Sequence, residues 1–223
     1  MIKALIFDFD GLILDTETPE FETWREIYRE FGQDLNIERW GQSVGGRAIS
    51  NFRPLPHLET LLGRDLSPLN LSTRARERNL ARILTLPPLP GVQATLRAAR
   101  RLDLKLAVAS SSHHAWVDGH LTRLGLTYFF QTIQCADDVP HTKPEPDLYL
   151  AALDALGVSA EEAIAFEDSP NGVTAARRAG LFVVAIPNPI TAQLTFEGEN
   201  LRLDSMADLS LDKLLAEAKP SQS

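Results

Sequence analysis

The apolar positions of the chain follow two rhythms. Ile2 to Phe9 place six apolar side chains in eight positions, with no turn residue. A short, nearly continuous apolar run predicts a strand buried on both faces of a parallel sheet. From Glu17 to Phe31 the period lengthens. Phe21, Trp24, Ile27, Tyr28 and Phe31 recur at helical spacing, Pro19 suits a first turn and Gly32 suits the stop. This reads as a helix whose aromatic stripe packs in a core. Residues 34–85 hold shorter helical patterns, at Ile37 to Gln42, Leu58 to Leu62 and Leu71 to Leu84. They are broken by Gly45-Gly46, Pro54, Pro56, Gly63 and Pro68, with no strong strand.

Thr85 to Gly91, TLPPLPG, is a stiff connector that ends this helical stretch. Strand and helix then alternate. Strands are predicted at Leu104 to Ala109, Phe130 to Gln134, Ala163 to Phe166 and Phe182 to Ile186, with a short edge strand at Leu201 to Asp204. Helices are predicted at Val92 to Arg101, Trp116 to Leu124, Asp147 to Leu156, Gly172 to Ala179 and Leu209 to Ala218. Lys219 to Ser223 read as a frayed tail. Such alternation predicts an α/β protein with a doubly wound parallel sheet. The expected organisation is an α/β core of residues 1–16 and 86–223 carrying a small helical insert at 17–85.

Composition narrows the function. Apolar residues make up 44%, as in ordinary globular proteins. The 22 basic against 30 acidic residues leave a net charge of −8, which argues against a general nucleic-acid-binding surface. One cysteine, Cys135, excludes an internal disulfide and a zinc cluster of several cysteines, and it reads as a small buried hydrophobe. No apolar run is long enough for a membrane span, and no signal-peptide pattern precedes the first strand. The expectation is a cytoplasmic monomer with no membrane or nucleic-acid partner.

The predicted strand tips carry the chemistry. Asp8 and Asp10 end the first strand and, if strand geometry persists that far, share one face. Strand tips are where open α/β sheets bind ligands. Close like charges raise each other's pKa, so the pair implies a metal, a retained proton, or both. Ser110-Ser111-Ser112 follow the second strand. There they either cradle a phosphate beside free helix-start N–H groups or cap the next helix. Lys143 lies in HTKPEP, stiffened by prolines. Glu167-Asp168 follow Ala163 to Phe166 and either supply oxygen ligands to Mg²⁺ or belong to a helix cap, with Asp168 or Ser169 as the cap and Pro170 at the first helical position. A phosphate dianion within about 4 Å of a carboxylate is repelled by roughly 8 kcal/mol at an effective dielectric of about 20. Mg²⁺ and one lysine offset charge of that size.

Four motifs in order resemble the haloacid dehalogenase-like superfamily, in its phosphatase and β-phosphoglucomutase branch. They are DFDGLILDTE at Asp8 to Glu17, the serine after LAVAS at Ser110, TKPEPDLY around Lys143, and FEDSPNG at Phe166 to Gly172. The resemblance spans the α/β core and implies that the helical insert is the family's cap. It implies an Mg²⁺-dependent phosphatase acting on a small phosphorylated metabolite, such as a sugar phosphate, through an aspartyl-phosphate. Asp8 is then the nucleophile and Asp10 the general acid and base. Ser110, Ser111 and Lys143 hold the phosphoryl group. Asp8, the carbonyl of Asp10, Asp168 and Glu167 form the metal set, with Glu167 either a ligand or a support. Arg47, after Gly45-Gly46, and Glu20 are cap residues assigned to the substrate. Glu20 replaces a histidine found five residues after the equivalent of Asp15 in the mutases, and Thr142 replaces the glycine usual before the lysine. The alternatives are a phosphosugar mutase and, outside enzymes, a phospho-accepting regulatory module.

Overall fold

The computed structural model describes residues 1–41 and 52–218. The chain divides into two units. One comprises Met1–Leu14, Pro87–Asn188 and Thr195–Ser223, and the other Asp15–Leu86 and Pro189–Leu194.

The first unit is built on six parallel strands: β1 (Ala4–Phe7), β2 (Lys105–Ala109), β3 (Thr132–Gln134), β4 (Ala163–Glu167), β5 (Phe182–Ala185) and β6 (Leu201–Arg202). Their order across the sheet is β3-β2-β1-β4-β5-β6. This is a doubly wound, Rossmann-like α/β fold. The order reverses between β1 and β4, the kind of switch point at whose carboxyl ends open α/β sheets bind ligands. Phe7 pairs in register with Val108 on one side and Phe166 on the other, so residues 8, 109–110 and 167–168 emerge side by side.

Every residue of β1 is fully buried, as a strand covered on both faces requires. Alternate positions feed alternate faces. Ala4, Ile6, Ala107, Ala109, Ala163, Ala165, Val183 and Ala185 belong to one apolar cluster with Leu148, Tyr149, Val173 and Ala176. The many alanines on this face let helices lie close to the sheet. Phe7 points the other way and stacks on Phe166, with ring centroids 4.8 Å apart.

The second unit is helical: α1 (Glu17–Glu30), α2 (Ile37–Gly41), α3 (Pro54–Leu62) and α4 (Leu71–Ile83). Gly32, with φ of +68°, stops α1 as its position predicts. The predicted aromatic stripe is its core. Phe21, Trp24, Ile27 and Tyr28 pack with Leu35, Trp40, Phe52, Leu58 and Leu71. Ile190 is buried in this same cluster. Residues 189–194 therefore belong to the helical unit, although the sequence pattern assigns them to the sheet domain. Arg82 and Arg78 of α4 reach Glu26 of α1, at 2.6 and 3.3 Å. Gly45, Gly46 and Arg47 lie outside the described residues, as does the tail from Lys219.

The remaining helices, α5 (Val92–Arg101), α6 (His114–Arg123), α7 (Asp147–Leu156), α8 (Pro170–Arg178) and α9 (Leu211–Glu217), belong to the sheet unit. In α5, Val92, Thr95, Leu96 and Ala99 are buried, the spacing of one apolar helix face. No helix among the described residues is long and apolar enough to cross a membrane.

Candidate active site

The strand β1 ends earlier than its apolar run suggests. The Asp8 amide still donates to the Phe166 carbonyl at 3.0 Å. Then the chain turns out of the sheet. The Phe9 carbonyl accepts from the amides of Ile13 and Leu14, at 2.9 and 3.2 Å. Regular strand pairing thus stops at Asp8; Asp8 and Asp10 each acquire their own partners, while the Asp10 charge still acts on the Asp8 carboxyl. Gly11 makes the turn with φ of +80°, a conformation that glycine adopts without strain. A Cβ there would stand 2.2 Å from Asp168 Oδ2, so the missing side chain also leaves room for that carboxylate.

Asp8 is buried and hydrogen-bonded by Lys143 Nζ. The same ammonium lies 2.6 Å from Glu167 Oε1. Glu167 is fully buried at the end of β4 and accepts a further hydrogen bond from Tyr149 Oη on α7. Its carboxylate packs where Gly172 has no side chain, since a Cβ on Gly172 would fall 1.9 Å from it. Tyr149, Gly172 and Lys143 thereby hold one carboxylate rigidly between strand and helix. Asp168, also buried, accepts from Asn188 Nδ2 at 2.7 Å. The cap of α8 is Ser169, whose Oγ accepts from the Gly172 amide at 3.2 Å, with Pro170 next to it. The capping reading of this tip therefore applies to Ser169 and leaves Asp168 for other work.

Burial pushes the Asp8 carboxyl up to about 7, against the pull of Lys143 and with a further push from Glu167. Burial works against the Lys143 charge too, but Asp8 and Glu167 outweigh it and hold its pKa above the ordinary lysine value. Two buried carboxyls, Asp8 and Glu167, thus share one ammonium, and Asp168 is buried beside them. Oxygens from the three lie within 4.8 Å of one another. All-oxygen donors with surplus negative charge suit a hard divalent cation such as Mg²⁺. Glu167 Oε1 is already shared by Lys143 and Tyr149, which makes Glu167 the anchor of the lysine.

Asp10 is half-buried and held at both oxygens. Ser112 Oγ donates to Oδ2 at 2.6 Å and Trp116 Nε1 donates to Oδ1 at 2.8 Å. The serines after β2 divide their work. Ser110 is buried, its amide donates to the Gln134 carbonyl at 2.9 Å, and its Oγ accepts from the Ser112 amide at 3.1 Å. Ser111 is exposed. None of the three caps α6, whose N-cap is His113; the His114 amide is taken by Asp137 at 2.7 Å. Glu20 sits in the first turn of α1 in the helical unit and is exposed.

The sheet unit therefore brings Asp8, Asp10, Ser110, Ser111, Lys143, Glu167 and Asp168 to the carboxyl ends of β1, β2 and β4 and the loop before α7. Three partners escaped the reading of the sequence. Tyr149 lies in the lysine motif, which gives it no role of its own. Trp116 and Asn188 carried no local signal, because their roles depend on contacts far along the chain.

The haloacid dehalogenase-like hydrolase family matches the chain over residues 5–186. The protein YhcW of Bacillus subtilis is 50% identical over 215 residues, 96% of this chain and 97% of that protein. A Thermotoga maritima protein named phosphorylated carbohydrates phosphatase is 32% identical over 182 residues, 81% of this chain and 82% of its own. The crystal structure of a CbbY mutant from Rhodobacter sphaeroides, in complex with xylulose-(1,5)bisphosphate, superposes with a TM-score of 0.71 at 30% identity. It covers 94% of this chain and 96% of its own.

Proposed function

The chain belongs to the haloacid dehalogenase-like hydrolases, and we propose that it is a Mg²⁺-dependent phosphatase of small phosphorylated carbohydrates, working through a phosphorylated Asp8. The observation that carries this reading is the buried Lys143 ammonium shared by Asp8 and Glu167 at the point where the strand order reverses. A nucleophilic carboxylate attacks a phosphate ester only where the mutual repulsion is offset, and this arrangement supplies fixed positive charge at that carboxylate. The names of the Thermotoga phosphatase and of the CbbY complex support a phosphorylated sugar as the substrate class.

The reaction follows from the residues. Asp8 Oδ attacks phosphorus, a new carboxyl-oxygen-to-phosphorus bond forms, and the ester bond breaks. Asp10 gives the leaving alkoxide its proton and so releases the alcohol. Asp10, now a carboxylate, takes a proton from water as that water displaces the phosphoryl group from Asp8. Inorganic phosphate leaves and both side chains return to their starting states. Ser112 and Trp116 hold the Asp10 carboxyl in one place for both transfers. Lys143 stays charged throughout and holds the phosphoryl oxygens, while Ser110 and Ser111 line the tip beside them. Asp8, Asp168 and the Asp10 carbonyl would hold Mg²⁺, which neutralises phosphate charge when bound. Glu167 positions Lys143. The family resemblance assigns the helical unit the role of a cap that selects the alcohol portion, with Arg47 and Glu20 as its candidate substrate residues.

A screen of phosphorylated sugars, sugar alcohols and organic acids for phosphate release, with Mg²⁺ and with excess chelator, tests the reading. The expected result is phosphate release from a subset of sugar phosphates that stops with chelator and returns with added Mg²⁺. Turnover unaffected by exhaustive chelation, or isomerised sugar phosphate without phosphate release, would exclude it.

A further inference from the structure

The tips of β2 and β3 carry a second group of donors, which the proposed reaction does not use. His114 opens α6. Its Nδ1 lies 3.1 Å from Asp118 Oδ2, one helical turn on, and its Nε2 lies 2.8 Å from Asp138 Oδ2. Cys135, just past β3, is 0% exposed, and among the described residues its thiol has no hydrogen-bond partner. The Cys135 amide donates to Asp138 Oδ2 at 2.8 Å, which fixes that carboxylate beside the thiol. One ligand atom each from His114, Cys135 and Asp138 lies within 4.8 Å of the others. Asp118 Oδ1 is buried and unpaired among the described residues. Asp137 adds a further negative charge, next to His113 Nδ1 at 2.8 Å.

Donor counting at His114 points to a cation. A neutral imidazole has one N–H to give. With that N–H directed to Asp118, Nε2 brings a lone pair against a carboxylate that also has none to give. A positive charge must stand between them. A proton serves in the metal-free protein. The donors around it, however, are an imidazole nitrogen, a thiol sulfur and a carboxylate oxygen. That mixed set suits a borderline-soft ion and is poorly matched to Mg²⁺. The Asp118 contact to Nδ1 is the outer carboxylate that commonly orients a metal-bound histidine.

We propose that His114, Cys135 and Asp138 form a second metal site, for Zn²⁺ or a similar ion such as Co²⁺, with Asp118 orienting the imidazole. Binding displaces the thiol proton and the Nε2 proton to solvent. The ion ties the start of α6 to the loop after β3. Ser112 and Trp116, which hold Asp10, flank His114 in sequence, so an ion here stiffens the segment that positions Asp10.

The test is titration of Co²⁺ into the full chain at saturating Mg²⁺, read by absorption. The expected result is one equivalent per chain with a thiolate-to-Co²⁺ charge-transfer band and intense ligand-field bands of low coordination number, displaced by Zn²⁺. Cys135→Ser removes the charge-transfer band. Asp118→Asn weakens binding about 10- to 100-fold. If Cys135→Ser does not fold, His114→Gln, at a half-buried position, and Asp138→Asn, at an exposed one, provide the same readout and lower the affinity more than Asp118→Asn. No binding, binding without a charge-transfer band, or a band that survives Cys135→Ser overturns the proposal, as does unchanged affinity in both His114→Gln and Asp138→Asn.

Discussion

The indole Nε1 of Trp116 donates to Asp10 Oδ1 at 2.8 Å, linking the start of α6 to a loop 106 residues earlier. Ser112 Oγ holds the other oxygen at 2.6 Å. Together they allow the Asp10 carboxyl one orientation, which a group that donates and then accepts a proton requires.

The first prediction concerns this clamp. Trp116→Phe keeps a ring to pack on His120, whose centroid lies 4.2 Å away, and removes only the N–H. Ser112→Ala removes the other donor. Each should lower kcat on an alkyl phosphate by about tenfold, by loosening the proton donor. On an aryl phosphate with a good leaving group the loss should be much smaller. Steady-state kinetics on both substrates decide the matter. Equal losses would mean that the clamp does not serve proton transfer.

Asp8 and Asp10 should fail in different ways. Asp8→Asn removes the proposed nucleophile, so no phosphoenzyme can form. Asp10→Asn leaves Asp8 and Lys143 in place but moves no protons, costing about 10²- to 10⁴-fold for each transfer. With an activated ester, the Asp10→Asn enzyme should become phosphorylated and then stall. Rapid quench and intact-mass measurement detect the added phosphoryl group. A folded Asp8→Asn protein turning over at the wild-type rate would refute the assignment of Asp8.

Two glycines should respond to alanine with opposite signs. At Gly172 a Cβ would land 1.9 Å from the Glu167 carboxylate, which Tyr149 and Lys143 hold in place. The resulting overpacking should cost about 1–3 kcal/mol and reduce activity by displacing Lys143. Gly119 lies within α6 with nothing within 4 Å of the added Cβ. Gly119→Ala should stabilise by about 0.5–1 kcal/mol, because alanine loses less backbone freedom in a helix. Thermal melts of both variants test the pair of signs.

His57 should make the helical unit acid-sensitive. Its Nδ1 lies 2.8 Å from Tyr28 Oη, whose proton goes to the Pro54 carbonyl at 2.7 Å. Burial, aided by Arg39, holds the His57 pKa below its ordinary 6.5. The folded protein therefore binds less proton there than the unfolded chain. This group's contribution is fully present above about pH 6.5 and is lost as the pH falls through the lower folded value. His57→Gln should flatten the decline in denaturation midpoint on the acid side of 6.5. An unchanged pH slope in that variant would disprove the role of His57.

The local pattern of the chain determines much of this protein. Continuous apolar runs capped by acidic or hydroxyl residues make buried parallel strands with polar tips, and a change to helical period between Glu17 and Leu84 makes a separate helical core. Both follow from periodicity, which acts over a few residues. Tertiary structure decided how those tips work. Strand pairing ends at Asp8, and Asp10 finds its partners on the serine loop and α6. Glu167 read as a metal ligand or support, and its engagement by Lys143 and Tyr149 makes it the anchor of the lysine. The serines after β2 became a turn and a clamp instead of a helix cap, and Ile190 rejoined the helical core. These outcomes depend on strand order and register, which bring together residues more than a hundred positions apart. The free energy of such contacts depends on burial and geometry that no window of neighbouring residues encodes.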